Sequence, residues 1–293
     1  MVYFEKSDAL KRLPKQFFAD LVVKTNAAIA KGYDVINLGQ GNPDQPTPPH
    51  IVKSLQEAAA NPLYHKYSPF RGYDFLKEAI AAFYKREYDV AIDPKTEVAI
   101  LFGSKTGLVE IGECILNSGD TVLMPDPGYP DYLSGFALAN LNMETMPLRA
   151  ENAFLPDYAS MPDTLLDKAK LMFLNYPNNP TSATAPADFF EETVKVAEKH
   201  NICVLHDLLT ARSGSTAKAA QLPANTGSKR SRHRNLHVVE NLQHGGLACR
   251  FCAWKQEHYR SDRTFSGPLF CKSVRRDSGS QCQSAAWASR LRA

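Results

Sequence analysis

The stretch from Leu171 to Asp207 constrains this chain most. Two apolar runs of strand length, Lys170–Asn175 and Ile202–His206, enclose the segment Asp188–His200, in which Phe189, Val194 and Ala197 recur near the helical period. The unit is therefore β-turn-α-β, and its strands are parallel. In an open parallel sheet, ligands gather beyond the carboxyl ends of the strands. Here those ends carry Asn175 to Thr181 on one strand and Asp207 on the next. The Asn-Pro-Thr run beginning at Asn179 implies a tight turn that presents the Asn179 amide. An acid at a buried strand end, such as Asp207, suits a charge-assisted hydrogen bond to a protonated ring nitrogen.

The preceding residues alternate in the same manner. Leu10 to Lys31 reads as an amphipathic packing helix. A short strand from Asp34 then breaks into a loop containing Gly39, Gly41 and Pro43, which is either an ordinary turn or a place where backbone approaches a ligand closely. Helices are expected over Ile51–Ala60 and Tyr73–Tyr88, a strand over Glu97–Phe102 and a helix over Leu108–Leu116. The loop Gly103-Ser104-Lys105-Thr106-Gly107 precedes that last helix, and free N–H groups at a helix N-terminus suit a phosphate. It lacks the Walker spacing, so a plain βα turn is the competing reading. Strand Thr121–Met124, a helix from about Asp131 to Asn140 and strand Asn142–Pro147 follow. Tyr129, at a strand end, is placed to cover a flat ring; core packing is the alternative for it and for Tyr132.

The Asn-Asn-Pro-Thr turn followed by a strand-terminal Asp resembles the class I/II aminotransferases, which use pyridoxal phosphate, and the likeness is nearly continuous from Gly39 to Asp207. It is nearest to aminotransferases of the methionine-salvage type. The resemblance implies an α/β fold: the three-layer, aspartate aminotransferase-like large domain, here truncated and followed by an irregular C-terminal tail. It also implies roles. Gly103, Ser104 and Lys105 would hold the cofactor phosphate, Tyr129 would stack on the pyridine, Asn179 would face its phenolic oxygen, and Asp207 would meet its ring nitrogen. Gly41 would lie over the substrate carboxylate, and Tyr67 would reach the phosphate of a neighbouring subunit in a homodimer. Amino acids and 2-oxo acids are the substrates so implied. Ser182 stands where the family usually has Gly.

After Asp207 the likeness stops. Thr210 occupies the place of an expected Tyr, and the Ser-Lys motif that carries the Schiff-base lysine is absent, which removes nucleophile and general base together. Composition changes at the same point. Residues 1–207 hold 19 Lys+Arg and 27 Asp+Glu, a balance of −8, whereas residues 208–293 hold 15 and 4, a balance of +11. The tail is rich in Ser, Arg, Gln and His, with little sustained apolar period.

Back-translation suggests the origin of this change. Val239 to Lys255, read from the second base of each codon, permits Ser-Lys-Thr-Tyr-Asn-Met-Ala-Gly-Trp-Arg-Val-Ala-Phe-Ala-Arg-Gly, which carries the missing lysine motif. Its Lys codon straddles Glu240 and Asn241. The run from Leu208 to Thr216, read from the third base of Leu208, permits Ala-Tyr-Gly-Ala-Ile-Gly-Phe-Asp. Residues 208–293 thus read as an out-of-frame, poorly ordered tail, following an N-terminal helical arm over 1–33 and a partial cofactor-binding large domain over 34–207. No catalytic lysine is assigned in this frame.

Other classes fit less well. Cys249, Cys252, Cys271, His244 and His258 do not form the paired spacing of a structural zinc site. The run Lys229-Arg-Ser-Arg-His-Arg is basic enough for a nucleic-acid module, but shifted translation yields basic runs without selection. A non-catalytic remnant that still binds phosphate through Ser104 and Lys105 is a third reading. Met1 to Leu10 mixes charged with apolar residues and no run approaches about 18 apolar residues, so a cytoplasmic protein without membrane or nucleic-acid partners is expected. Cys114 and Cys203, in apolar contexts, are expected to be buried thiols.

Overall fold

The computed structural model describes residues 4–14, 17–37, 46–101, 103–210, 236–244 and 247–254. Its elements, in chain order, are α1 (Asp8–Lys11), α2 (Phe17–Ala30), α3 (Pro49–Ala59), α4 (Asp74–Tyr88), β1 (Val98–Ile100), α5 (Ser104–Ile115), β2 (Thr121–Asp126), α6 (Asp131–Leu138), β3 (Asn142–Pro147), α7 (Asp163–Leu166), β4 (Ala169–Asn175), α8 (Ala187–His200), β5 (Cys203–Thr210), β6 (Leu236–His244) and β7 (Leu247–Trp254). The strands form one sheet in the order β1-β7-β6-β5-β4-β2-β3. The pairs β2/β3, β2/β4, β4/β5 and β5/β6 are parallel, and β7 runs antiparallel to both its neighbours.

Burial explains the near-continuous apolar strands. On β4, Met172 and Leu174 join one core cluster with Phe189, Phe190 and Ala197 of α8. Leu171 and Phe173 join another with Leu108 and Ile111 of α5 and Tyr132 and Phe136 of α6. Successive side chains on a strand point to opposite faces, and here both faces are covered by helices, so the run Leu171–Leu174 is apolar at every position. The result is the expected three layers: α8, sheet, α5 with α6. A third cluster joins Ile80 and Tyr84 of α4 to Val98 of β1.

Helix ends carry their own signals. Asn201 closes α8 in the left-handed region at φ +57°, Asp188 lies in its first turn, and Lys199 and His200 lie in its last, complementing the helix dipole. His200 Nδ1 meets Asp167 Oδ1 at 2.6 Å and Lys199 Nζ meets Asp163 at 3.1 Å, which clasps α8 to α7. The Arg12 guanidinium donates through Nε to the Ala137 carbonyl at 2.9 Å, covering the end of α6.

Several expectations are revised. The single packing helix over Leu10–Lys31 is two helices, and α2 leaves Val23 68% exposed, with Phe18, Val22 and Ile29 also exposed. Its apolar period is real, but among the described residues no element covers that face fully. No strand follows Asp34 among the described residues. Cys114 and Cys203 are not disulfide-bonded and are only half-buried. The segment expected to be irregular contributes β6 and β7, so β5 keeps a neighbour on each side. Ladder hydrogen bonds use backbone groups alone, so a strand pairs without a particular side-chain sequence. Among the described residues, no helix is long and apolar enough to cross a membrane.

Candidate active site

The carboxyl end of β4 lies beside Asp207, with Asn175 in register with it; β5 continues past the expected His206 to Thr210, so Asp207 sits within the strand rather than at its end. The buried Asn175 amide joins the two strands to the following turn: its Nδ2 donates to the Asp207 carbonyl at 2.8 Å, and its Oδ1 accepts from the Asn179 N–H at 2.7 Å. Within that turn the Asn178 carboxamide oxygen accepts from the Thr181 hydroxyl at 2.7 Å and its backbone N–H at 3.1 Å. The Asn178 N–H donates to Ala183 O and the Ser182 N–H to Asn178 O, both at 2.8 Å. The turn is closed by its own polar side chains. Ser182 sits at φ +62°, a left-handed conformation that a glycine adopts without the steric cost of a Cβ, which accounts for the family's usual Gly there.

Asp207 sits partly buried in β5, level with the carboxyl end of β4. Its Oδ2 accepts a 2.7 Å hydrogen bond from the Tyr132 hydroxyl, which is its one side-chain partner among the described residues. Burial pushes the Asp207 carboxyl up to about 6, and the Tyr132 hydroxyl opposes that rise by stabilising the anion. Tyr132 is wholly buried, so core packing describes it correctly and incompletely. Sequence reasoning assigns it no role toward Asp207; the available signal is its position three residues past Tyr129, in the first turn of α6.

On the other face of β5, His206 is enclosed with its Nε2 3.0 Å from the Tyr176 carbonyl oxygen. Burial pulls its pKa down to about 4, so it is a neutral ring that braces the start of the turn.

The loop before α5 supplies the opposite chemistry. Gly103 is the N-cap at φ +102°, a conformation that favours glycine, and it makes no side-chain cap, so the first N–H groups of a helix beginning at Ser104 face outward from the element. Lys105 lies over the Tyr129 ring, its Nζ 5.4 Å from the centroid. Tyr129 meets Tyr132 edge-on at 5.8 Å. A continuous line of contacts therefore runs from Lys105 through Tyr129 and Tyr132 to Asp207.

This arrangement fits a flat, phosphorylated, protonated heterocycle such as pyridoxal phosphate. A helix N-terminus with a lysine attracts the anion at one end. At the other, a partly buried carboxylate, bonded through one oxygen, keeps the second for a ring N–H. The aromatic faces between them are of ring size.

Of the residues singled out from sequence, Gly103, Lys105, Tyr129, Asn179 and Asp207 join this network, and Ser104 opens α5. Tyr67, expected to reach a neighbouring subunit, is fully exposed. Gly41 lies outside the described residues, as does the basic run from Lys229 to Arg234. Among the described residues no cluster of three or more His, Cys, Asp or Glu side chains is arranged to hold a metal.

Comparison with known proteins gives a consistent result. The family model for aminotransferase class I and II matches residues 33–230, running past Asp207, where the motif-by-motif likeness ends. The chain is 62% identical over 204 residues to an L-glutamine–4-(methylsulfanyl)-2-oxobutanoate aminotransferase of Bacillus subtilis (strain 168), covering 70% of this chain and 51% of that protein. It is 45% identical to an LL-diaminopimelate aminotransferase of Aquifex aeolicus (strain VF5), over 70% of this chain and 53% of that one. The chain thus spans about half the length of the curated relatives it matches. Among solved structures, substrate-bound BacF from Bacillus subtilis matches at 54% identity and TM-score 0.66, over 70% of this chain and 52% of that one. An aminotransferase from Staphylococcus aureus matches at 34% identity and TM-score 0.73, over 85% and 63%.

Proposed function

Because this chain belongs to the class I and II aminotransferases, a pyridoxal-phosphate-dependent family, we propose that residues 34–207 are the retained part of a cofactor-binding domain built for exchange of an amino group between an amino acid and a 2-oxo acid. We propose further that residues 208–293 are an out-of-frame product and that the chain binds the cofactor without turning over. When bound, the cofactor supplies an electron sink for the substrate carbanion. Gly103, Ser104 and Lys105 would hold its phosphate, Tyr129 would cover the ring, Asn179 would face the phenolic oxygen, and Asp207 would accept a hydrogen bond from the protonated ring nitrogen. Tyr132 would keep Asp207 ionised and aimed.

The observation that carries this reading is the pairing of β5 with β6. Asp207 stands in register with Val239, and the neighbouring strand β6 contains no lysine anywhere from Leu236 to His244. No amine on that strand is available to take the cofactor covalently or to shuttle a proton at the reacting carbon. The shifted-frame lysine codon falls at Glu240–Asn241, opposite Leu208 and Leu209, just beyond Asp207. This register supports the reading that the out-of-frame string would have carried the amine beside Asp207.

The test combines two measurements. Incubation of the full chain with pyridoxal phosphate, borohydride reduction and peptide mapping should give weak, reversible binding and no single fixed lysine; stoichiometric fixation on one lysine overturns the proposal. Sequencing the DNA across codons 205–245 should give codons compatible with the shifted Ser-Lys string, and incompatible codons remove the frameshift. For the intact parent we propose a homodimer, supported by exposed Tyr67, Phe70 and the apolar face of α2, and a cytoplasmic location. A glutamine donor with a 4-(methylsulfanyl)-2-oxobutanoate acceptor is the specificity favoured by the 62% relative.

A further inference from the structure

We propose a second anion site, away from the α5 loop: the cleft where the Pro69–Tyr73 turn meets the start of α4 binds a phosphate dianion, free or as the end group of a small molecule. The cleft has a volume of about 400 Å³ and is lined by Pro69, Arg71, Gly72, Tyr73, Asp74, Lys77 and Lys95. Three of these side chains are cationic and one is acidic.

The position of the cleft is set by backbone. The Gly72 N–H closes a turn onto the Pro69 carbonyl at 2.9 Å, and Gly72 takes φ +72°. A Cβ there would meet Ile100 Cγ1 at 2.6 Å and Cβ at 2.9 Å, so only glycine lets the turn lie against β1 and bring Arg71 and Tyr73 to the mouth of α4. The N-cap of α4, Tyr73, makes no side-chain bond to the first turn, so the positive pole of this 15-residue helix faces the cleft without a cap.

Lys77 supplies the second and independent argument. Its side chain is 5% exposed, yet its one hydrogen-bond partner among the described residues is Asp74 Oδ1, at 3.1 Å, and that carboxylate's side chain is 77% exposed. An ammonium carries three donors, and burying it costs free energy unless they are satisfied. Asp74 takes one, and because it is well solvated it neutralises the charge weakly. Two donors remain to be satisfied from the cleft that Lys77 lines. A phosphate dianion offers several acceptor oxygens and suits a guanidinium placed beside an ammonium. This site rests on α4 and β1, so it does not depend on the cofactor reading.

The experiment is a titration of the full chain with inorganic phosphate, and separately with glycerol phosphate, at constant ionic strength held with chloride, followed by thermal unfolding. It is repeated in Lys105→Ala, which weakens the α5 loop as a phosphate site. A saturable stabilisation should persist in Lys105→Ala. Adding Lys95→Ala should raise the apparent Kd at least threefold, and Lys77→Met should raise it at least tenfold. Lys95 is exposed, so its variant decides the matter if Lys77→Met fails to fold. Stabilisation by both ligands assigns the site to phosphate end groups, and stabilisation by inorganic phosphate alone assigns it to the free ion. Absence of any effect beyond chloride, or an effect lost in Lys105→Ala and untouched by Lys95→Ala, overturns the proposal.

Discussion

Replacing Asp207 with asparagine should stabilise the chain at neutral pH while abolishing its capacity to hold a protonated ring. The Asp207 carboxyl titrates near 6 in the fold, against 3.8 for the unfolded group, because burial disfavours the anion. Between those values the native state binds more protons than the unfolded state, so stability falls as pH rises through the window from 3.8 to 6. The difference corresponds to about 3 kcal/mol at most, at about 1.4 kcal/mol per pKa unit. The introduced carboxamide would keep an acceptor oxygen for the Tyr132 hydroxyl and would not ionise. The variant should therefore match or fall below the parent at pH 4 and exceed it by up to about 3 kcal/mol at pH 7.5. Tyr132→Phe should act in the other direction, removing a hydrogen bond to the anion, raising the carboxyl further and extending the loss above pH 6. Urea unfolding of the full chains, followed by circular dichroism from pH 4.0 to 7.5 at constant ionic strength, reads the difference directly. Other carboxylates titrate in this range, but they are common to both proteins and cancel. Parallel pH profiles for the parent and Asp207→Asn would refute the claim that this carboxylate is held against its own solvation.

Three further outcomes follow from single contacts. Gly72→Ala should cost about 2–4 kcal/mol in urea unfolding, since it combines a left-handed backbone with a 2.6 Å contact to Ile100; a loss under about 1 kcal/mol would mean that β1 yields. Ser182→Gly should gain about 0.5–1 kcal/mol by relieving φ +62°, less the added freedom of the unfolded chain, and a loss of stability would contradict the strain. Thr193→Val should cost about 1–3 kcal/mol, because the Tyr158 hydroxyl, buried and 2.9 Å from Thr193 Oγ1, loses its oxygen partner there. In the double variant with Tyr158→Phe that cost should shrink, and full additivity would argue against the pair.

What the sequence disclosed divides by physical cause. β3, β4, α4, α6 and α8 fall within two residues of their expected spans, because each couples a clear period to a clear stop, as with α8 and Asn201. The helix α5 begins at Ser104, four residues before its expected start, since Ser-Lys-Thr-Gly has no apolar period to announce it. That Asn179 lies in a tight turn and that Asp207 stands beside Asn175 across parallel strands was legible from local turn and strand chemistry. Tyr132 was not, because its partner lies 75 residues away and one side chain both fills the core and donates a hydrogen bond. Asn175 reads from sequence only as a strand end; that its amide spans two segments depends on a register that sequence does not carry.

The contrast between β5 and β6 separates what a fold requires from what a reaction requires. A parallel ladder asks of its next strand only extended backbone with free N–H and C=O groups, and Leu236–His244 meets that demand over seven paired positions. The reaction asks for one amine at one place beyond Asp207, and no residue of that strand provides it. If the tail is out of frame, as proposed, a slip in reading erases the second requirement at once while leaving the first partly satisfied. Transferring only the Ser-Lys string into residues 239 and 240 tests this separation: the sheet should gain little stability, whereas borohydride fixation of pyridoxal phosphate should appear on the new lysine. Fixation that does not appear would place the deficit in the geometry around Asp207 rather than in the missing amine.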